Sequence, residues 1–178
     1  SDVCSSDLNG VYVAGGRETL DENGFAIGSS ARVVITKPIT LQSVNGPGVT
    51  AIEGSRLPAS VWREHARGIR CVYLGNNAVL SGFTLTNGTA TRANSAATPA
   101  NGAGVFCEPE GVVTNCILTG NIAGYWSGSG GGAWGGTLYN CTLTDNTCRV
   151  VAGSILHDCT LTGGQIGAVN STLYNCTL

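Results

Sequence analysis

The stretch Leu138-Tyr139-Asn140-Cys141-Thr142-Leu143 is one of five copies of a six-residue phrase that decides the fold of this chain. The other copies occupy residues 80–85, 113–118, 156–161 and 173–178. Each copy begins with an apolar residue, has Gly, Asn or Asp in third place, and ends in leucine. A phrase that returns in this way predicts a stack of similar short units rather than one globular core.

The third residue of every copy is of a type that tolerates a left-handed backbone. These residues are Gly82, Asn115, Asn140, Asp158 and Asn175. Leu138 and Cys141 are three positions apart, so a straight strand would place them on opposite faces. A bend at Asn140 lets both point inward. We therefore expect a corner at each third residue, with the polar corner side chains stacked in a hydrogen-bonded ladder.

The spacing of the copies predicts the length of one coil. Cys141 and Cys159 are 18 residues apart, and Cys159 and Cys176 are 17 apart, whereas Cys116 and Cys141 are 25 apart. Seventeen or 18 residues suit three short strands and three corners, and longer coils carry loops. Coils should lie about 4.8 Å apart, which aligns four residues in one inward cysteine column: Cys116, Cys141, Cys159 and Cys176.

The earlier coils are less regular. Further strands are predicted at residues 10–14, 48–54, 102–107, 131–134, 149–153 and 165–169. In the segment 33–41 we expect Pro38 to occupy a corner, because a corner residue need not donate to the strand ladder. This interpretation places Ile39 and Leu41 at the positions that Phe83 and Leu85 take later.

The repeats GFTLTNG (82–88) and NCTLTDN (140–146), with GGAW at 131–134, resemble known proteins. The chain is similar to the right-handed parallel β-helix superfamily of pectate-lyase-like solenoids, and more narrowly to bacterial surface β-helix repeats of the polymorphic outer-membrane type. The resemblance implies an all-β, right-handed parallel β-helix solenoid at the cell surface or outside the cell. Enzymes of that superfamily act on polysaccharides, mostly acidic ones.

Residues 1–8 (SDVCSSDL) resemble a translated sequencing-library adapter, and we expect them to be an artefact. Residues 9–178 are then expected to form a single β-helix domain, with irregular coils over 9–70 and regular coils over 71–178. On this interpretation the β-helix is truncated at both ends and comes from an open reading frame assembled from environmental DNA.

Composition argues against two classes of function. Charged residues make up 11% of the 178, the net charge is −2, and Lys37 is the only lysine. The basic footprint of a nucleic-acid-binding protein is missing, so no nucleic-acid partner is expected. No run of 18 apolar residues occurs, so no membrane-spanning segment is expected.

The chain has eight cysteines. In the cysteine column, parallel side chains leave Cβ atoms about 4.8 Å apart, where a disulfide needs about 3.8 Å. We therefore expect reduced thiols that fill a narrow interior. Cys71, Cys107 and Cys148 lie outside the column, and their pairing stays open. With no Cys-x-x-Cys pair, and with His65 and His157 as the only histidines, no zinc site is expected.

Two groups of residues are candidates for binding. Trp62, Arg63 and Arg67 lie in an insert, and arginine beside tryptophan suits an acidic sugar by charge and ring stacking. Tyr125 and Trp126 lie in the Gly- and Ser-rich loop over residues 122–130 and can stack on a sugar ring. For each group the competing interpretation is structural: a solvated loop for the first and packing for the second.

No catalytic cluster is visible, and no catalytic residue, metal or cofactor is assigned. Glu108 and Glu110 flank Pro109 and could hold calcium, although a solvated turn is the favoured explanation. Hydrolases of this fold need carboxylates about 5–9.5 Å apart, and no acidic motif of that kind is present.

We therefore expect a structural or adhesive β-helix module of a secreted or cell-surface bacterial protein. Its partners would be carbohydrate or molecules of a host or neighbouring cell surface. The alternatives are a fragment of a polysaccharide lyase or glycoside hydrolase, and a non-catalytic carbohydrate-binding β-helix. Fold alone does not separate them.

If both ends cut through coils, unpaired strand edges are exposed, and such edges invite aggregation. We predict that the isolated chain is poorly soluble. Size-exclusion chromatography with light scattering and a thermal melt test this, and a monodisperse monomer that melts cooperatively would contradict it.

Overall fold

The computed structural model describes residues 3–6, 10–15, 30–55, 68–91, 100–124, 129–164 and 166–178. In these ranges every regular element is a β-strand, and all strand pairings within the sheets are parallel. The chain winds as a coil that adds one strand to each of three sheets per turn. This confirms the predicted all-β parallel β-helix solenoid. Its right hand stays a prediction from the crossover rule.

Sheet A takes the strand before the repeated corner. In spatial order its strands are β1 (Val3–Ser6), β4 (Thr40–Ser43), β7 (Val79–Ser81), β11 (Val112–Thr114), β15 (Thr137–Tyr139), β18 (Ile155–His157) and β21 (Thr172–Tyr174). The strand β1 falls within the adapter-like segment and extends this sheet by pairing with β4.

Sheets B and C complete each coil. Sheet B contains β2 (Gly10–Tyr12), β5 (Thr50–Glu53), β8 (Thr84–Thr86), β12 (Ile117–Thr119), β16 (Thr142–Thr144) and β19 (Thr160–Thr162). Sheet C contains β3 (Ser30–Ile35), β6 (Ile69–Leu74), β10 (Val105–Cys107), β14 (Ala133–Trp134), β17 (Arg149–Ala152) and β20 (Ile166–Val169). Two short strands, β9 (Thr89–Ala90) and β13 (Ile122–Ala123), pair at the corner between sheets B and C.

The corner between sheets A and B has the predicted left-handed backbone. Asn115, Asn140, Asp158 and Asn175 have φ of 53°, 50°, 56° and 52°. The bend at Asn140 turns the chain so that Leu138 and Cys141 are both buried in the same core. The corner side chains themselves are exposed, and the Asn175 amide donates to the Asp158 carboxylate one coil away.

Equivalent residues stack into inward rows that take the place of a globular core. In sheet A the row runs through Leu80, Val113, Leu138, Leu156 and Leu173. In sheet B it runs through Ile52, Leu85, Leu118, Leu143 and Leu161. These rows belong to one continuous hydrophobic cluster.

One sequence-based assignment is wrong. Leu41 pairs with Leu80 in sheet A, rather than taking the position of Leu85 in sheet B. Pro38 therefore precedes the sheet A strand instead of following it. The next corner is a loop over residues 44–49 with no repeated phrase. The error arose because apolar residues alternate identically in both strands, so spacing alone did not distinguish them.

A second amide ladder, which the sequence analysis missed, lies inside the coil. Asn121 and Asn146 are fully buried at the corner after sheet B. The Asn146 amide donates to Leu118 O at 2.8 Å, and the Asn121 amide donates to Leu85 O at 2.9 Å and to Asn146 Oδ1 at 3.0 Å. The Gly88 N–H donates to Asn121 Oδ1 at 2.8 Å. These bonds join successive coils and satisfy polar groups that no water reaches.

Truncating Leu143 tests the inward rows. Leu143 is fully buried between Leu118 and Leu161, so Leu143→Ala should lower the free energy of unfolding by about 2–5 kcal/mol. Urea unfolding followed by circular dichroism measures this. Thr162→Ala, on the exposed side of β19, is the control and should change stability by less than about 0.5 kcal/mol. Equal losses in both variants would contradict the arrangement.

The two asparagine positions should respond differently to glycine. Asn140→Gly keeps a residue suited to positive φ at an exposed corner, and Asn146→Gly leaves buried groups of Leu118 and Asn121 without their partner. We expect Asn146→Gly to be less stable than Asn140→Gly by about 1–3 kcal/mol. Both substitutions add the same backbone freedom to the unfolded chain, so the difference isolates the buried hydrogen bonds. Equal stability of the two variants would show that the inner ladder is dispensable.

Candidate functional site

The two predicted binding groups, Trp62, Arg63 and Arg67 in one and Tyr125 and Trp126 in the other, lie outside the described residues. The segments that contain them nevertheless connect the same two sheets. The four longest segments outside the described residues are 16–29, 56–67, 92–99 and 125–128. Each joins the sheet B side of a coil to the following sheet C strand.

We call this corner the insert corner. Strand pairing and hydrogen bonds join neighbouring coils there. Thr89 pairs with Ile122, and Ile122 forms a bridge with Thr147 in the next coil. The Gly68 N–H donates to Thr91 Oγ1 at 3.0 Å. The described ends of successive inserts are thus held on adjacent rungs of one stack.

A row of aromatic rings lies on the outer face of sheet C, next to the insert corner. Tyr73, Phe106 and Trp134 are in register on β6, β10 and β14. Their ring centroids are 5.8 Å and 4.5 Å apart, with interplanar angles of 19° and 28°. Tyr73 and Phe106 are buried, and Trp134 is half-buried. Solvent therefore has access to this row at the indole of Trp134.

Arg70 is the one charged side chain among the fully buried residues of the described chain. Its guanidinium carbon lies 4.9 Å from the centre of the Phe106 ring, which is a cation–π distance. Burial lowers the pKa of Arg70 to about 10, so the group stays cationic at neutral pH. A cation held against an aromatic ring is suited to the carboxylate of an acidic sugar. Arg70 itself is covered, so such a ligand would first meet Trp134.

The two glutamates proposed for calcium have other partners. The Tyr73 hydroxyl donates to Glu108 Oε1 at 2.8 Å, and the Asn77 amide donates to Glu110 Oε2 at 2.9 Å. Glu108 thereby anchors the first ring of the aromatic row. In the part of the chain that the structure describes, no three His, Cys, Asp or Glu side chains are grouped to hold a metal ion.

The four column cysteines are in register, because the residues that follow them pair from strand to strand. Cys116, Cys141 and Cys159 are buried and Cys176 is half-buried, and all four carry free thiols. Burial raises the pKa of Cys116 to about 11. The hydrogen bond with Cys159, together with burial, raises the pKa of Cys141.

The three cysteines whose pairing was left open are also free thiols. Cys71 and Cys107 are buried, and burial raises the pKa of each to about 12. Cys148 is half-buried, and its thiol donates to Ala123 O at 3.3 Å beside the insert corner.

A second ring stack, which the sequence analysis did not single out, lies on the outer face of sheet A. Tyr139, His157 and Tyr174 stack with centroids 4.8 Å and 4.7 Å apart, and both tyrosines are exposed. The ring planes are nearly parallel, at 12° and 11°. Since the stacked faces cover one another, this surface presents ring edges to solvent. The signal was available in the second position of the repeated phrase, which is aromatic in its last three regular copies.

Comparisons with protein-family models, curated proteins and solved structures find no match to this chain. Among the described residues there is no helix long and apolar enough to cross a membrane. The fold and the surfaces above are therefore the basis for the functional proposal.

Thiol reactivity should follow burial. In the native protein at pH 8, Cys148 and Cys176 should react with a disulfide reagent before the buried Cys71, Cys107, Cys116, Cys141 and Cys159, because they are half-buried. Cys71 and Cys107 should react only on unfolding, since they are buried and their pKa values of about 12 leave almost no thiolate. Peptide mapping after partial labelling identifies the modified residues. Early labelling of Cys71 or Cys107 would contradict the structure.

Proposed function

We propose that the chain is a rigid structural or adhesive module of a secreted or cell-surface bacterial β-helix protein. The observation that supports this proposal is that the sheets are regular while the long insertions occur at the insert corner. Three sheets run in register through the coils, while the long additions are concentrated where sheet B passes to sheet C. Such an arrangement makes a stiff rod whose contacts are carried by loops.

The stack supports the rod role. Each coil is fixed to the next by parallel strand pairing and by the inward leucine rows, and the buried Asn121–Asn146 pair adds a further link between two of the coils. Neighbouring units touch only along the stack, so coils can be added or removed without redesigning the core. The resemblance of the repeats to bacterial surface β-helices agrees with this role, and it is the basis for the proposed location outside the cell.

The insert corner supports the adhesive role. Trp62, Arg63 and Arg67 belong to one insert of this corner, and Tyr125 and Trp126 to another. The half-buried Trp134 continues the row of rings on the adjoining face of sheet C. Arginine and aromatic side chains together favour an acidic carbohydrate as partner, by charge and by stacking. A cell-surface glycan is therefore the partner class we propose.

The alternative is a polysaccharide lyase or glycoside hydrolase of the pectate-lyase-like superfamily, or a non-catalytic carbohydrate-binding β-helix. The observation that favours it is the cationic Arg70 held against Phe106 beside the insert corner. A buried cation at this face would offset the carboxylate charge of an acidic sugar that meets Trp134. Binding without turnover separates the adhesive proposal from the enzymatic one.

A panel of polygalacturonate, alginate and chondroitin sulfate tests the proposal. The protein should bind at least one of them in a surface-based assay and release no reducing or unsaturated ends. Arg63→Ala together with Arg67→Ala should weaken binding at least tenfold, because both cations are lost. Thr162→Ala, on the outer face of sheet B, should bind as the parent does. Product release would favour the enzyme, and binding unaffected by the arginine changes, or absent throughout, would reject the proposed surface.

A further inference from the structure

The cysteine column has a regular geometry that neither the fold nor the proposed function requires. Each thiol donates to the carbonyl two residues before it, at 3.2 Å from Cys116, Cys141 and Cys159 and 3.3 Å from Cys176. The four side chains therefore share one orientation. Their sulfur atoms are related by the translation from one coil to the next.

Contacts along the axis agree with this stacking. The Cys141 N–H donates to Cys159 Sγ at 3.5 Å, and the Phe83 N–H donates to Cys116 Sγ at 3.5 Å. In both cases the sulfur of one coil lies against the backbone nitrogen of the equivalent residue in the coil before it. Phe83 occupies the next place in the row, so the column ends at Cys116 on that side.

The distance between stacked sulfur atoms is too long for a disulfide but matches two metal–sulfur bonds in line. Neighbouring coils lie about 4.8 Å apart, whereas a disulfide joins sulfurs about 2.05 Å apart. The zinc–thiolate bond is about 2.3 Å long, and a linear sulfur–metal–sulfur unit with bonds of that length spans about 4.6 Å. An ion on the line between two stacked sulfurs would thus bind both with a shift of only about 0.2 Å from the strand spacing.

We propose that the cysteine column binds soft monovalent d10 cations such as Cu(I) or Ag(I), each held between two neighbouring sulfur atoms. One sulfur cannot bind ions in opposite directions along the axis, so the filled column holds two ions, one between Cys116 and Cys141 and one between Cys159 and Cys176. Thiolate sulfur selects soft cations of this kind. Zn(II) is excluded from these places because it needs four ligands in a tetrahedron.

The charge balance also favours a monovalent ion. The column lies against buried leucines such as Leu138 and Leu156, where an uncompensated charge is costly. When a cation binds, one sulfur–hydrogen bond breaks, a sulfur–metal bond forms to the same sulfur, and the proton leaves to solvent. The neighbouring sulfur completes the pair through its lone pair. Each ion thus replaces one proton, and the core stays neutral.

A variant that keeps only the column thiols gives the direct test. Cys4→Ser, Cys71→Ala, Cys107→Ala and Cys148→Ser remove every other cysteine of the chain. Titrated with Ag(I) in chloride-free buffer, this protein should bind two ions by native mass spectrometry and release two protons in a pH-stat. X-ray absorption at the silver edge should show two sulfur neighbours per ion. A folded variant that binds none, or whose silver has nitrogen or oxygen neighbours, would overturn the proposal.

Paired changes in this variant distinguish a column from independent thiols. Cys141→Ala with Cys159→Ala leaves two thiols that are not neighbours and should bind no ion, whereas Cys116→Ala with Cys141→Ala leaves the neighbours Cys159 and Cys176 and should leave one ion. Independent thiols would bind the same number in both variants, which would refute the shared sites. In the full chain, the first pair of changes should lower the silver count by two and the second pair by one. The full-chain pair keeps the test valid if the multiple variant does not fold.

Discussion

The left-handed corner between sheets A and B is the constraint on which the rest of this structure depends. It occurs at the same place in successive coils, at Asn115, Asn140, Asp158 and Asn175. For most residue types this backbone conformation costs about 1–2 kcal/mol, and Asn, Asp and Gly reduce that cost. Because one residue makes the whole turn, the side chains before and after it both face inward. A corner displaced by one residue would turn the following strand inside out.

The fold class could be predicted because the corner and the inward leucines recur at fixed positions in the same phrase. Three features escaped the prediction for identifiable reasons. Leu41 was misplaced because its coil has a loop, rather than a single residue, at the corner. The buried Asn121–Asn146 pair was missed because asparagine after a strand ordinarily indicates an exposed turn. The ring row on sheet C was missed because Tyr73, Phe106 and Trp134 are far apart in sequence and meet only through strand register.

The candidate site could be predicted less well than the fold. The inserts were recognised as additions to the coil, but the sequence alone did not indicate that they leave the stack at one corner. That follows from the sheet order. The sequence did not indicate that Arg70 is buried, and the structure places it on β6 against Phe106. A single charged residue in an apolar strand gives no periodic signal in the sequence. Its burial can therefore be recognised only in the three-dimensional structure.

The outer faces of the three sheets differ although their interiors are alike. Sheet A exposes the edges of Tyr139, His157 and Tyr174, sheet B exposes threonine, and sheet C carries the covered ring row. Outward residues do not take part in the leucine rows, so each face can have its own chemistry. The β-helix therefore has three distinguishable sides.

The position of the inserts has a consequence for how such a chain can change over time. Equivalent sheet A residues are 39 positions apart from Thr40 to Val79 and 17 apart from Ile155 to Thr172, yet both intervals close one turn of the same stack. Doubling a loop adds only about 0.6 kcal/mol of closure entropy. Insertions and deletions at this corner are therefore nearly neutral for folding, whereas a single added residue within a strand would break the register. Length variation among descendants of this gene should collect at that one corner and leave the coil pitch untouched.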